Sequence, residues 1–258
     1  MKMDVYYKEC GKGISVFFLH GLGSNLSQAQ QLLSTLRGIR LITMDCRGHG
    51  KTPFTGAEDI SFSRYADDVV AFADKLNIKK AVFGGISMGA GIAMNVAVRY
   101  PERLKGLILL RPAWLDKKNP PNLHIFRVLA NLLLEKKGKT IVDTPEYKEI
   151  EKTAPAAAKS IVQLLDREQK EHTAEIFLRM VGDAPIAALD ELKNIKVPCI
   201  VLGNQQDPLH PLEYAKTIAS CIPGAVYAEV ASRYVDEKLH KKEVESKIKY
   251  FINKNLIF

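Results

Sequence analysis

Ala81-Val82-Phe83-Gly84-Gly85-Ile86-Ser87-Met88-Gly89-Ala90-Gly91-Ile92-Ala93-Met94-Asn95-Val96-Ala97 decides how this chain is read. A short apolar run ending in two glycines reads as a buried strand, and the small and apolar residues after Met88 as a buried helix. Between them Gly85-Ile86-Ser87-Met88-Gly89 fits G-x-S-x-G, which puts Ser87 on a sharp strand-to-helix turn with its Oγ exposed. The glycines two before and two after the serine let strand and helix approach without a side-chain clash. The next backbone N–H, that of Met88, lies at a helix N-terminus, where negative charge is stabilised. No G-K-[ST] follows, which disfavours a phosphate loop.

Outward from this turn, strands and helices alternate. Strands are expected over residues 5–8 and 14–19, with Cys10-Gly11-Lys12-Gly13 as the turn of an N-terminal hairpin. A helix over 27–36, a strand over 39–44, a helix from Ser61 or Ser63 to Leu76 and strands over 81–86 and 106–110 follow. After Arg111-Pro112-Ala113-Trp114-Leu115 the strands stop, and 123–136, 145–151, 156–170 and 173–181 read as helices. Alternation resumes with a strand over 199–202, a helix over 212–220, a strand over 226–230 and a last helix over 236–254. The expectation is an α/β fold: a mostly parallel sheet with helices on both faces. Its core spans 1–111 and 191–258, with an inserted helical block over 112–190.

The composition is that of an ordinary soluble protein: 258 residues, 47% hydrophobic and 26% charged. The N-terminus lacks the apolar run of a signal peptide, and no segment approaches the roughly 18 apolar residues of a membrane span, so a cytoplasmic location is expected. Cys10, Cys46, Cys199 and Cys221 have no metal-type spacing and read as free thiols; neither metal nor cofactor is implied. The net charge of +8 is spread along the chain in small lysine clusters, which favours a solvated surface over a nucleic-acid groove.

Four motifs occur in order: His20-Gly21-Leu22-Gly23-Ser24, Asp45-Cys46-Arg47-Gly48-His49-Gly50-Lys51-Thr52, Gly85-Ile86-Ser87-Met88-Gly89 and Gly203-Asn204-Gln205-Gln206-Asp207-Pro208. With them the chain resembles the α/β-hydrolase superfamily with an inserted helical cap, over almost its whole length. The resemblance implies a serine nucleophile at Ser87, oxyanion donors from the Leu22 and Met88 N–H groups, and a catalytic acid at Asp207. Asp116, closer to the strand over 106–110, is the rival acid.

The base is where the chain departs from this resemblance. Aligning the last helix on Val244, Ile248 and Phe251 places Tyr234 in the usual histidine slot, and a phenol with a pKa near 10 is a poor base at pH 7. His240, six residues later, is the first candidate, with Nε2 towards Ser87 and Nδ1 towards Asp207. His210, three residues after Asp207 in Asp207-Pro208-Leu209-His210-Pro211, is the second. His20 reads as a histidine bonding its own loop, with a substrate contact as the alternative. Arg111 reads either as an anchor for an anionic substrate group or as half of an ion pair with a cap or loop acid. Trp114 begins the apolar wall of the inserted block.

These residues point to a serine hydrolase, carboxylesterase-like, that cleaves a small carboxylic ester or related acyl compound through an acyl-enzyme. A ligand-binding or signalling protein with weak or lost catalysis is the competing expectation, because of Tyr234. The expected partner is a small-molecule acyl substrate, with no nucleic acid; the oligomeric state is left open.

Overall fold

The computed structural model describes residues 4–167 and 170–256. Seven strands, β1 (Tyr7–Gly11), β2 (Ile14–Leu19), β3 (Ile39–Met44), β4 (Ala81–Ile86), β5 (Leu104–Leu110), β6 (Cys199–Gly203) and β7 (Val226–Glu229), form one sheet in the order β1-β3-β2-β4-β5-β6-β7. Every neighbouring pair is parallel except β1 against β3. The expected N-terminal hairpin is therefore not formed. β2 has both edges occupied, by β3 (Ile14 beside Ile39) and by β4 (Val16 beside Val82), so β1 adds to the free edge of β3, Tyr7 opposite Met44. Gly11 and Gly13, at φ 77° and 130°, let the chain cross over the carbonyls of Ile39 and Gly38.

Alternate residues of each central strand enter two separate cores. Val16, Phe18, Val82, Ile108, Leu110, Ile200 and Leu202 face α1 (Leu26–Leu33) and α9 (Glu237–Asn255), whereas Phe17, Leu19, Phe83, Leu107, Leu109 and Val201 share a core with α2 (Phe62–Lys75), α3 (Met88–Arg99) and α8 (Leu212–Cys221). Helix α9 docks through the buried stripe Val244, Ile248, Phe251 and Ile252, each worth about 1.5–3 kcal/mol in apolar burial. A charge at the centre of that stripe, Ile248→Asp, would break the docking.

Between β5 and β6 lie α4 (His124–Leu134), α5 (Pro145–Thr153), α6 (Pro155–Val162) and α7 (Lys170–Val181). Phe126 of α4 meets Phe177 of α7 edge to face, ring centres 5.3 Å apart. The helix expected over 156–170 is divided: α6 ends at Val162, one 3-10 turn covers Gln163–Asp166, and Arg167 is extended. Residues 168–169 of that expectation lie outside the described part. The physical reason is Arg167 itself. Its guanidinium reaches down to donate to the Gly23 carbonyl at 2.7 Å and the Gly48 carbonyl at 3.1 Å, which takes the chain off the helical path. No helix among the described residues is long and apolar enough to cross a membrane.

The carboxyl ends of the parallel strands gather the chemistry on one rim, as open α/β sheets do. β2 leads into the His20 loop, β4 into Ser87, β5 into Arg111, β6 towards Asp207 and β7 towards Arg233 and Tyr234.

Candidate active site

Ser87 stands between β4 and α3 at φ 56° and ψ −111°, a conformation that costs a non-glycine residue about 1–3 kcal/mol. Its neighbours hold it there. The Ser87 N–H donates to the Leu110 carbonyl at 3.0 Å and its carbonyl accepts from Gly91 N–H at 3.1 Å. A Cβ on Gly85 would collide with the Gly89 backbone, and one on Gly89 with the Leu19 carbonyl, so both glycines are required by close approach. The hydroxyl has no hydrogen-bond partner among the described residues.

Across from it, the turn after β2 leaves the Leu22 amide without a partner among the described residues. Gly21 N–H donates to Gln28 Oε1 at 2.8 Å and Gly23 N–H to His49 Nε2 at 3.2 Å, while Leu22 N–H, between them, has no acceptor among the described residues. Met88 N–H is likewise unpaired at the start of α3, one of the orphan amides of a helix N-terminus. His20 uses both ring nitrogens locally: Nδ1 meets the Gly21 carbonyl at 2.8 Å and Nε2 accepts from Cys46 N–H at 3.0 Å. It is fully buried and does not line the cavity in front of Ser87. Burial, which removes water from an imidazolium, holds His20 at about 4.

Asp207 lies at the centre of a buried network. Its Oδ2 accepts from Arg111 Nε at 2.9 Å and Nη2 at 2.5 Å, and its carboxylate meets His210 Nδ1 at 2.9 and 3.0 Å. Arg111 is therefore half of an ion pair with a loop acid, the second of its two expected roles. Its backbone, at φ 49°, is held by an N–H bond to the Leu202 carbonyl at 2.7 Å. Burial alone would push the Asp207 carboxyl up, but the pull of His210 and Arg111 more than offsets it and keeps the acid well below the usual carboxylate range. Burial pushes the His210 imidazole down, against the Asp207 charge and with that of Arg111.

The protons of His210 follow from this geometry. Arg111 Nη2 lies 3.0 Å from the same Nδ1 that faces the carboxylate. A guanidinium can only donate, and its donors already have Oδ2; an anion can only accept, and offers two oxygens to Nδ1. The carboxylate wins Nδ1–H. The lone pair is then on Nε2, on the far side of the ring from Asp207.

His240 is placed differently from its expected role. It sits in the first turn of α9 with Nδ1 on the Ala231 carbonyl at 2.7 Å, and makes no hydrogen bond to Asp207. Ala231 is clamped from α9, its N–H donating to Glu243 Oε2 at 2.7 Å, and a tight turn on Ser232 points the next residues elsewhere: Asp236 N–H to the Ser232 carbonyl at 2.9 Å and Tyr234 N–H to Ser232 Oγ at 3.2 Å. Asp116 is not among the partners of any histidine near the site.

Ser87, His210, Arg111, Trp114, Leu22, Arg233 and Tyr234 all line one cavity of about 320 Å³. Trp114 packs edge-on to Phe62, ring centres 5.2 Å apart, and its buried indole N–H has no acceptor. Two guanidinium groups lie over the Tyr234 ring, those of Arg111 at 5.2 Å and Arg233 at 5.6 Å from its centre. Sequence reasoning did not single out Arg233, Gln28 or Arg167. The basic pair flanking Tyr234 along the fold was the available signal for Arg233; nothing local marks the other two.

The family model described as Serine aminopeptidase, S33 (Hydrolase_4) matches residues 12–245, about nine-tenths of the chain. The chain belongs to this family of α/β hydrolases. It is 29% identical over 226 residues to the bifunctional esterase/perhydrolase DCH of Acinetobacter calcoaceticus, covering 82% of this chain and 81% of that protein. It is 26% identical to 3-oxoadipate enol-lactonase 2 of Acinetobacter baylyi, covering 76% and 72%. The solved enol-lactonase of Burkholderia xenovorans LB400 has the same fold, at a TM-score of 0.76 and 22% identity over 97% of both chains. Relatives of this S33 chain are thus named as esterases, lactonases and hydrolases.

Proposed function

We propose that the protein is a serine hydrolase that cleaves a small carboxylic ester, or a related lactone or thioester, through an acyl-enzyme on Ser87. Its base is His210 and its acid Asp207. The single observation behind this reading is that Ser87 opens onto the same cavity as His210, whose Nδ1 rests on Asp207. His210 Nε2 takes the hydroxyl proton as Oγ attacks the carbonyl, and Asp207 stabilises the imidazolium that forms. The N–H groups of Leu22 and Met88, neither with an acceptor among the described residues, receive the oxyanion. The imidazolium returns its proton to the leaving alcohol, and water then repeats the cycle on the acyl-enzyme. The inserted helices act as a cap whose Trp114, Phe126 and Leu164 supply apolar walls.

One observation favours a second reading, ligand binding with lost hydrolysis: Arg111 shares Asp207 with His210, and Tyr234 occupies the loop after β7. A fluorophosphonate serine probe separates the two. The reading requires labelling of the unmodified protein that disappears in Ser87→Ala, slows at least about 100-fold in His210→Ala and persists in His240→Ala, all with native circular dichroism. An unlabelled native protein, or equal loss in His240→Ala, overturns the assignment.

A further inference from the structure

The cavity in front of Ser87 is unusual in its charge. Among the described residues its lining contains two arginines, Arg111 and Arg233, and no carboxylate. The charge of Arg111 is already matched by Asp207. That of Arg233 is not: its nearest acid is Glu237 at 4.0 Å, with side chains 33% and 80% exposed, a separation and exposure at which an ion pair contributes little. Its guanidinium is nonetheless positioned, over the face of Tyr234 at 5.6 Å.

Arg233 and Arg111 also line a second cavity of about 340 Å³ on the α9 side, together with Gln28 and Ile86, which both cavities share. Its other charged linings are Lys238, Lys241 and Glu237, so cations outnumber acids there as well. The two spaces adjoin along one wall and differ in character. The first contains the serine, the unpaired Leu22 amide and aromatic walls; the second carries an excess of positive charge and no serine. A substrate whose ester reaches Ser87 while its far end lies against Arg233 would place a negative charge where the protein offers bidentate donors whose acid neighbour, Glu237, is 4.0 Å away and 80% exposed.

We infer that the substrate is an anion, an ester bearing a carboxylate that Arg233 holds at the junction of the two cavities. This rests on the reading of Ser87 as the nucleophile, and it adds to that reading the class of ester. The carboxylate can belong to the acyl part or to the alcohol part.

The test compares esters that differ only by a carboxylate and its neutral carboxamide. Monomethyl glutarate and its carboxamide analogue place the group on the acyl side; 3-acetoxypropanoate and 3-acetoxypropanamide place it on the alcohol side. At low ionic strength, kcat/KM favours the carboxylate at least tenfold on one side, and that side identifies where the charge lies. In Arg233→Gln the ratio falls to within twofold of one, and Arg233→Lys restores most of it. A ratio at or below one on both sides, or the wild-type ratio in Arg233→Gln, overturns the inference. Calorimetric binding of the same pairs to Ser87→Ala separates this from failure of the hydrolase reading. Absence of turnover with tenfold tighter carboxylate binding, lost on adding Arg233→Gln, removes the hydrolase and keeps the anion site. Equal binding removes the anion site.

Discussion

His210 and His240 are both buried histidines that commit Nδ1 and leave Nε2 on the other side of the ring, yet they line different cavities, both bordered by Arg111, and have different partners. His210 rests on a carboxylate, His240 on the Ala231 carbonyl. A carbonyl orients an imidazole and fixes its tautomer, but offers only a partial charge to an imidazolium. A carboxylate does both, and a base that must be positive in the transition state needs the second service. The comparison teaches that tautomer and burial alone do not make a general base; the charge behind the ring decides.

The largest effect should come from breaking the carboxylate-backed histidine. His210→Ala is expected to lower kcat/KM for any ester the protein hydrolyses by about 10²–10⁴-fold, whereas His240→Ala changes it less than tenfold. Steady-state kinetics on the two variants checks this, and comparable losses would erase the distinction. Next is the guanidinium between them. Arg111→Gln leaves a buried carboxylate short of its countercharge, expected to cost about 3–5 kcal/mol in a urea melt. It also removes a positive charge that disfavours the imidazolium of His210, so the acid limb of kcat/KM should move to higher pH in the variant. An unmoved or lowered limb would show that Arg111 does not act on His210.

Acid should act on the carbonyl-backed histidine and on His20 in the same sense. Burial holds His240 and His20 at about 4, below the roughly 6.5 of an unfolded histidine, so the unfolded chain binds the proton more readily. Stability is fully present above about pH 6.5 and is lost as pH falls towards about 4, by about 3 kcal/mol for His20 alone at the lower end. Urea midpoints that stay flat across that window would contradict it. The smallest effect is expected from His240→Gln, where loss of the Ala231 bond costs about 1 kcal/mol at pH 7 and makes the acid dependence shallower.

The strand-to-helix turn at Ser87 was legible because strand, glycines and helix are contiguous, and so was the nearness of His210 to Asp207, three residues apart. The partner of His240 was not. It depends on how the chain turns at Ser232 and on Glu243 capturing Ala231, contacts that no local pattern encodes. The hairpin failed for a related reason: the local pattern marks residues 5–8 as extended and 10–13 as a turn, but cannot say that β3, thirty residues on, has the free edge. The division of the expected helix over 156–170 turns on one arginine seeking carbonyls more than a hundred residues earlier.

That arginine has a mechanical consequence. Arg167 projects from the inserted helices and is pinned to the carbonyls of Gly23 and Gly48, one residue from Leu22 and in the neighbouring turn. Its burial disfavours the charge, and the two carbonyls and the Thr173 hydroxyl, at 3.1 Å from Nε, accept from it. Lifting the helices away with Arg167 breaks its bond to the loop that carries the Leu22 amide. On the proposed mechanism, opening the inserted helices would loosen the loop whose Leu22 amide receives the oxyanion, so the site is complete only when they are closed.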